Sequence, residues 1–405
     1  MKFIELFSGI GAFTQAMDVI RPGSECVFAA DNDPECVRVY KNNYGIDSYH
    51  DITKVNAENV PAHDFCFFSP PCQAFSKSGK QLGFEETRGT LIFDVFRILK
   101  RHHPKYILME NVRNLASHDN GRTFKVISDS LKEIGYRIPS KPIILSPHYF
   151  GIPQTRERVF LPGIYDGTGD EPLEIEFGKF MKKEDCRLED IIDHSYDDDT
   201  SLCISKSEER VLSAWDDFYN GIKETTLGFP IWYDYFFDKN AEPTMPEWKK
   251  TFIAKNKALY LNNREFIDDW AERWDHLKGF TPTHKKFEWQ AGSKIDSLWE
   301  GLIQIRPSGI RVKSLTTAPA LVAIVQIPIL GPEKRRLSVR ECANLQSFPQ
   351  SFKPAENVET AYRQLGNSIN VKCLSEVVAK LLFIGECKDP AVSTEKRTAA
   401  QTIME

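Results

Sequence analysis

Lys2-Phe3-Ile4-Glu5-Leu6-Phe7-Ser8-Gly9-Ile10-Gly11 is the stretch from which the fold is read. Lys2–Leu6 is a short apolar strand, Phe7–Gly11 a glycine-containing turn, and the residues after it start a helix over Phe13–Ile20. Cys26–Ala30 follows as a second strand ending in Asp31, and Pro34 suits the first turn of a helix reaching about Asn43. The alternation continues: strand His63–Phe68 closed by Ser69-Pro70-Pro71, helix Thr90–His102, strand Tyr106–Met109 ending in Glu110, helix Phe124–Ile134. Such an order predicts an α/β fold, a mostly parallel sheet with helices on both faces. Ligands of open parallel sheets gather at the carboxyl ends of strands. That makes the Phe7–Gly11 turn, Asp31, Asp51 and Glu110 candidates for a site.

Farther along the chain the character changes. All seven tryptophans, Trp215 to Trp299, fall in one stretch with few clean strand signals and charged helical segments such as Asn262–His276. The shift predicts a second domain over 168–325, whose core the tryptophans fill, between two parts of the first at 1–167 and 326–387, with a polar tail at 388–405. The 405 residues carry 52 basic and 57 acidic side chains, a net charge of −5, so a nucleic-acid partner would need a local basic face. Nine cysteines without a C-x-x-C pair suggest neither a zinc ribbon nor a disulfide framework, and a reduced, cytoplasmic setting is expected. No apolar run is long enough to span a membrane, and Glu5 inside the first apolar run argues against a signal peptide.

Several residues carry chemistry, and each also admits a structural reading. Gly9 and Gly11 bring backbone close to a ligand or simply make a tight turn. Thr14 stands where a dinucleotide turn would have its third glycine, so a nucleoside without a pyrophosphate is favoured. Cys72 sits just past a strand behind two prolines, as a presented nucleophile would; a buried structural thiol is the alternative. Glu110 at a strand end could hold a proton for a base edge or neighbour a helix cap. Arg156 and Arg158, two apart on an expected strand, share one face and suit an anion or a carboxylate, or form a surface ion-pair ladder. Gln304, Arg306, Arg311 and Lys313 lie in the best local basic stretch, which is either a nucleic-acid contact or a solvated strand.

Together the motifs resemble the cytosine-C5 DNA methyltransferase family. The resemblance rests on Phe7-Ser8-Gly9-Ile10-Gly11, Pro70-Pro71-Cys72-Gln73, Glu110-Asn111-Val112 and Gln154-Thr155-Arg156-Glu157-Arg158. Arg340-Glu341-Cys342-Ala343, Gln346-Ser347-Phe348-Pro349 and Gln364-Leu365-Gly366-Asn367-Ser368-Ile369 complete the family order over about 1–165 and 335–385. The resemblance implies a Rossmann-like S-adenosylmethionine-dependent sheet with a smaller target-recognition domain, acting on double-stranded DNA as a monomer without a metal. It implies Cys72 as nucleophile at C6 of a flipped-out cytosine, Glu110 at N3 and the 4-amino group, and Arg158, with Arg156 close by, orienting the ring. For the cofactor it implies the Phe7–Gly11 turn, with Phe7 on the adenine. Asp31 would take the ribose, Asp51 and Ile52 would flank the adenine, and Pro71, Leu91, Asn367 and Ser368 would complete the pocket. Asp31 departs from the glutamate often found there. Gln73, Ser76, Ser78, Lys80 and Gln81 would contact the strand from a loop that closes over the base, and Arg306, Arg311 and Lys313 would contact DNA from the recognition domain. A cognate restriction endonuclease acting separately is the counterpart in systems of this type. RNA-modifying members of the same fold usually carry a Cys-Phe-Thr signature, absent here. A non-catalytic regulator would have lost Cys72 or Glu110, and a nucleotide oxidoreductase would need the missing pyrophosphate turn.

Overall fold

The computed structural model describes residues 1–71, 91–222, 227–237, 239–324 and 326–387. It divides into two compact units, Met1–Cys186 with the segment from Ala343, and Arg187–Cys342.

In the first unit the elements are β1 (Lys2–Leu6), α1 (Ala12–Ile20), β2 (Glu25–Ala30), α2 (Pro34–Tyr44), β3 (Phe65–Phe68), α3 (Leu91–His102), β4 (Tyr106–Val112), α4 (Arg122–Ile134), β5 (Tyr136–Arg137), β6 (Ile143–Leu145), β7 (Gln154–Thr155) and β8 (Arg158–Tyr165). The sheet runs β2-β1-β3-β4-β8-β5, with β6 also beside β8. β1 to β4 pair in parallel, whereas β8 returns antiparallel to β4, β5 and β6. The parallel half is covered on both faces, which is why its strands read as unbroken apolar runs such as Phe65-Cys66-Phe67-Phe68, all buried. Ile4, Leu6, Cys66, Phe68, Ile107 and Met109 pack under α3 and α4. On the opposite face Phe13 of α1 stacks on Phe67 at 4.5 Å and meets Phe3 and Phe65 edgewise or tilted. The helix Val371–Cys387 comes so close there that a Cβ on Gly385 would lie 2.4 Å from the Tyr106 ring.

Two expectations are corrected in this unit. β4 continues through Val112, so Glu110 lies within the strand rather than after it. Arg156 and Arg158 do not share a strand, because β7 ends at Thr155 and β8 begins at Arg158.

In the second unit the strands β9 (Ile231–Trp232), β10 (Lys286–Trp289), β11 (Leu302–Arg306) and β12 (Gly309–Lys313) join Ile329–Leu330 and Arg335–Arg336 in a six-stranded sheet. The expected scarcity of strands is thus overturned; the strands are two to five residues long, too short to show a period. Helices Lys206–Gly221 and Arg264–Arg273 pack on one face, with Trp215 stacked on Phe287 at 5.0 Å and tilted against Trp270 at 5.6 Å. Trp215, Trp270 and Trp289 are core, whereas Trp248 is 61% exposed.

Both boundaries of this unit differ from the compositional ones. Residues 168–186 belong to the first unit because Leu173 N–H donates to Ile138 O, Met181 N–H donates to Tyr149 O, and Phe180 stacks on Tyr149 at 4.4 Å. Residues 326–342 belong to the second because Ile329–Leu330 pairs with β11 and the buried Arg335 grips Glu341 and Asp197 at 2.9 Å. Among the described residues no helix is long and apolar enough to cross a membrane.

Candidate active site

Three positions in the first turn carry left-handed backbone: Phe7 at φ 59°, Gly9 at 52° and Gly11 at 86°. Only glycine takes this conformation without a steric cost, so Phe7 must be held there. Ser8 N–H donates to Ala30 O at 3.0 Å, which ties the turn to the end of β2. Gly11 precedes α1 and offers no capping side chain. Glu5, two residues before the turn, does the capping instead. Its carboxyl accepts from Phe13 N and Thr14 N at 3.2 Å, from Thr14 Oγ1 at 2.6 Å and from Tyr40 Oη at 3.1 Å. Burial pushes that carboxyl up to about 7 despite these donors.

The turn opens onto a cavity of about 660 Å³ at the carboxyl ends of β1 to β4. Phe7, Ser8, Gly9 and Ile10 line it, as do Asp31, Asp51, Ile52, Pro71, Leu91, Glu110, Arg156, Arg158, Asn367 and Ser368; Gly11 does not. Cys72, Gln73, Ser76, Ser78, Lys80 and Gln81 lie outside the described residues. Asp31 accepts from Gly9 N at 2.7 Å through one oxygen and from Asp33 N at 2.9 Å through the other. Burial raises it and the two N–H groups oppose that rise. Each oxygen keeps a lone pair, so this carboxylate can still accept from a vicinal diol. Among the described residues, a Cβ on Gly9 would meet no atom within 4 Å, which leaves the turn open to a ligand. These donors and acceptors fit a nucleoside. The Asp51 carboxylate is turned elsewhere, to Thr53 at 2.7 Å and Lys54 at 3.1 Å.

At the other end of the cavity stands Glu110, 4% exposed. The antiparallel return of β8 sets Arg158 opposite Val112, diagonal to Glu110, and Arg158 Nε reaches Glu110 Oε1 at 3.1 Å. Ser69 Oγ donates to the other oxygen, Oε2, at 2.6 Å. Asn111 Nδ2 donates to Pro70 O at 3.0 Å and so pins the Ser69-Pro70-Pro71 turn to β4. Burial pushes the Glu110 carboxyl up, while Arg158, Ser69 and Arg156 pull it back.

Arg156 lines the cavity and also binds backbone. It is buried, and its Nη2 donates to Gly366 O and Ser368 O, both at 2.8 Å. It therefore ties this segment to the Gln364–Ile369 stretch that closes the cavity. Burial, and then the like charge of Arg158, push its guanidinium down from the usual value. Glu5, Ser69 and Asn111 appear in the quoted stretches of sequence but are given no role in the site there. The one available signal was an acid inside an apolar strand, at Glu5.

The basic stretch lies in the second unit as the hairpin of β11 and β12. Ile303, Ile310 and Val312 face the core. On the polar face, Arg311 pairs in register with Gln304 and with Glu288, and its Nε and Nη2 both reach Glu288 Oε2, at 3.1 and 2.7 Å. Gln304 is 2% exposed; among the described residues its Oε1 has no hydrogen-bond partner, nor has the buried Nε of Arg306. Lys313 ends β12, opposite Leu302.

A family model described as C-5 cytosine-specific DNA methylase matches residues 1–382. The chain is similar to Type II methyltransferase M.HpaII of Haemophilus parainfluenzae, 31% identical over 94% of this chain and 88% of that one. It is also similar to Type II methyltransferase M.AluI of Cellulosimicrobium cellulans, 30% identical over 93% and 91%. Among solved structures, S. pombe Dnmt2 methyltransferase shares the fold with a TM-score of 0.52 at 19% identity, covering 94% of this chain and 98% of that one. Entamoeba histolytica methyltransferase EhMeth does so with a TM-score of 0.55 at 17% identity, covering 94% and 98%. The chain thus belongs to the C-5 cytosine-specific DNA methylase family and is a DNA cytosine-5-methyltransferase.

Proposed function

We propose that this chain is the modification enzyme of a restriction-modification system, methylating one cytosine in a short recurring sequence of double-stranded DNA. One observation carries the reading: Glu110, braced by Arg158 and Ser69, lines the same cavity as Asp31 and the glycine turn. A nucleoside site and a carboxyl able to address a base edge thus open into one chamber.

S-adenosylmethionine would supply the methyl group, and Phe7–Ile10, Asp31, Ile52, Pro71, Leu91, Asn367 and Ser368, which line the cavity, would hold it. A duplex hides C5 and C6, so the target base has to leave the stack. Cys72, as thiolate, adds to C6, and Glu110 gives a proton to N3 and accepts from the 4-amino group. The electron pair so placed at C5 forms the new C–CH3 bond; the donor's S–CH3 bond would break, its electron pair staying on sulfur as the neutral thioether of S-adenosylhomocysteine. Solvent water takes the C5 proton, the C5–H electron pair re-forms the C5–C6 double bond, the C6–S bond breaks to release the Cys72 thiolate, and N3 returns its proton to Glu110. Arg158 holds Glu110 and the ring edge in register. Gln73, Ser76, Ser78, Lys80 and Gln81 belong to the strand-contacting loop. The second unit reads the sequence through Gln304, Arg306, Arg311 and Lys313. The enzyme works as a monomer in the bacterial cytoplasm, on the nucleoid.

Bisulfite sequencing of DNA and tRNA from cells expressing this chain, beside a Cys72→Ala control, tests the proposal. Protected cytosines in one DNA sequence, lost in the control, are expected. A duplex carrying 5-fluorocytosine at that position should trap a covalent complex, because fluorine cannot leave as a cation. Protection confined to tRNA, or undiminished in Cys72→Ala, would overturn it.

A further inference from the structure

The Glu110 carboxyl is gripped at both oxygens, by partners of different character. Oε1 faces the Arg158 guanidinium at 3.1 Å, a group that only donates. Oε2 faces the Ser69 hydroxyl at 2.6 Å, a group that both donates and accepts. A proton on Oε1 would sit against a fixed cation; a proton on Oε2 would not. Resting on the cytosine reading above, we propose that Ser69 is a positioning residue for this reaction. Its hydroxyl fixes the carboxyl plane so that Oε2 is the oxygen that exchanges the proton with N3 of the target cytosine. Oε2–H passes its proton to N3 as the thiolate adds at C6, and takes it back when the thiolate leaves. Nothing else is consumed.

Among the described residues, the other charged or titratable groups facing Glu110 are Arg156 and, from the helix Val371–Cys387, Cys373. Burial raises the carboxyl, and both arginines and the Ser69 hydrogen bond lower it. Removing the hydroxyl therefore moves its titration upward.

The test compares wild type, Ser69→Ala and Ser69→Thr in steady-state methyl transfer across pH, with Glu110 titrated separately by difference infrared spectroscopy against Glu110→Gln. Ser69→Ala is expected to lower kcat about tenfold at the optimum, leave both KM values within about twofold, and move the Glu110 titration and the alkaline limb to higher pH. Ser69→Thr restores both. An unmoved Glu110 titration in Ser69→Ala, or a kcat loss that threonine does not rescue, overturns the assignment of Ser69 alone. A wild type that methylates no cytosine overturns the parent reading with it.

Discussion

Replacing Arg156 by methionine separates two roles that its sequence position leaves entangled. The side chain is buried and supplies one nitrogen, at 2.8 Å, to each of two carbonyls, Gly366 O and Ser368 O. A hydrogen bond to a charged donor contributes about 1.5–3 kcal/mol, and a carbonyl left buried without a partner costs about as much. Because one Nη2 serves both carbonyls, the loss lies between one bond and two, about 2–4 kcal/mol. At roughly 2–4 °C per kcal/mol this lowers the melting temperature by roughly 4–16 °C. The same carbonyls belong to the stretch that closes the cavity. A stretch ordered only on binding charges its ordering to the cofactor, so the Kd for S-adenosylmethionine should rise on the order of tenfold or more. Arg156→Lys keeps the charge without the fork and should recover no more than about half of the loss. Differential scanning fluorimetry and titration calorimetry on the three proteins read both quantities. If Arg156→Met melts and binds cofactor like the wild type yet transfers no methyl group, the tether argument is wrong and the guanidinium acts on the base.

Other outcomes follow from the glycine turn and the hairpin. Gly11→Ala would put a Cβ 2.1 Å from Tyr44 Cε2 at a φ of 86°, so urea unfolding should show a loss of about 2–5 kcal/mol from overpacking and left-handed strain. Gly9→Ala meets no protein atom and should cost less stability while weakening cofactor binding; equal unfolding midpoints for the two variants would contradict this. Arg306→Ala should relax selectivity at one base pair by about tenfold to a hundredfold when a randomised duplex pool is methylated and sequenced. A uniform slowing across all sequences, with a shallower salt dependence, would assign Arg306 to a phosphate instead.

Much of the first unit could be read ahead of the structure because its strands are buried on both faces and punctuated by acids, prolines and glycines. Asp33 and Pro34 start α2 as their chemistry requires, with Asp33 accepting from Glu35 N at 2.9 Å. What stayed hidden depends on partners far apart in sequence. Ser69 meets Glu110 across 41 positions, and Arg156 meets Gly366 across 210. Period-two reasoning put Arg156 and Arg158 on one face because it assumed an unbroken strand, whereas the chain leaves the ladder between Thr155 and Arg158. In the second unit two-residue strands such as Ile329–Leu330 are defined by pairing alone, so no local pattern betrays them. The compositional shift marked the tryptophan core but not the flanks, because polar segments such as 168–186 attach through backbone bonds and a few rings.

The cavity takes one wall from residues 5–12 and another from residues 364–369. A ribosome that has made β1 to β4 has made Asp31 and Glu110, but not the segment to which Arg156 donates. The nascent chain therefore has no closed chamber until its last helices emerge, and both units have to be synthesised first. A chain stalled within the second unit carries Asp31 and Glu110 without the wall that residues 364–369 contribute to the cavity.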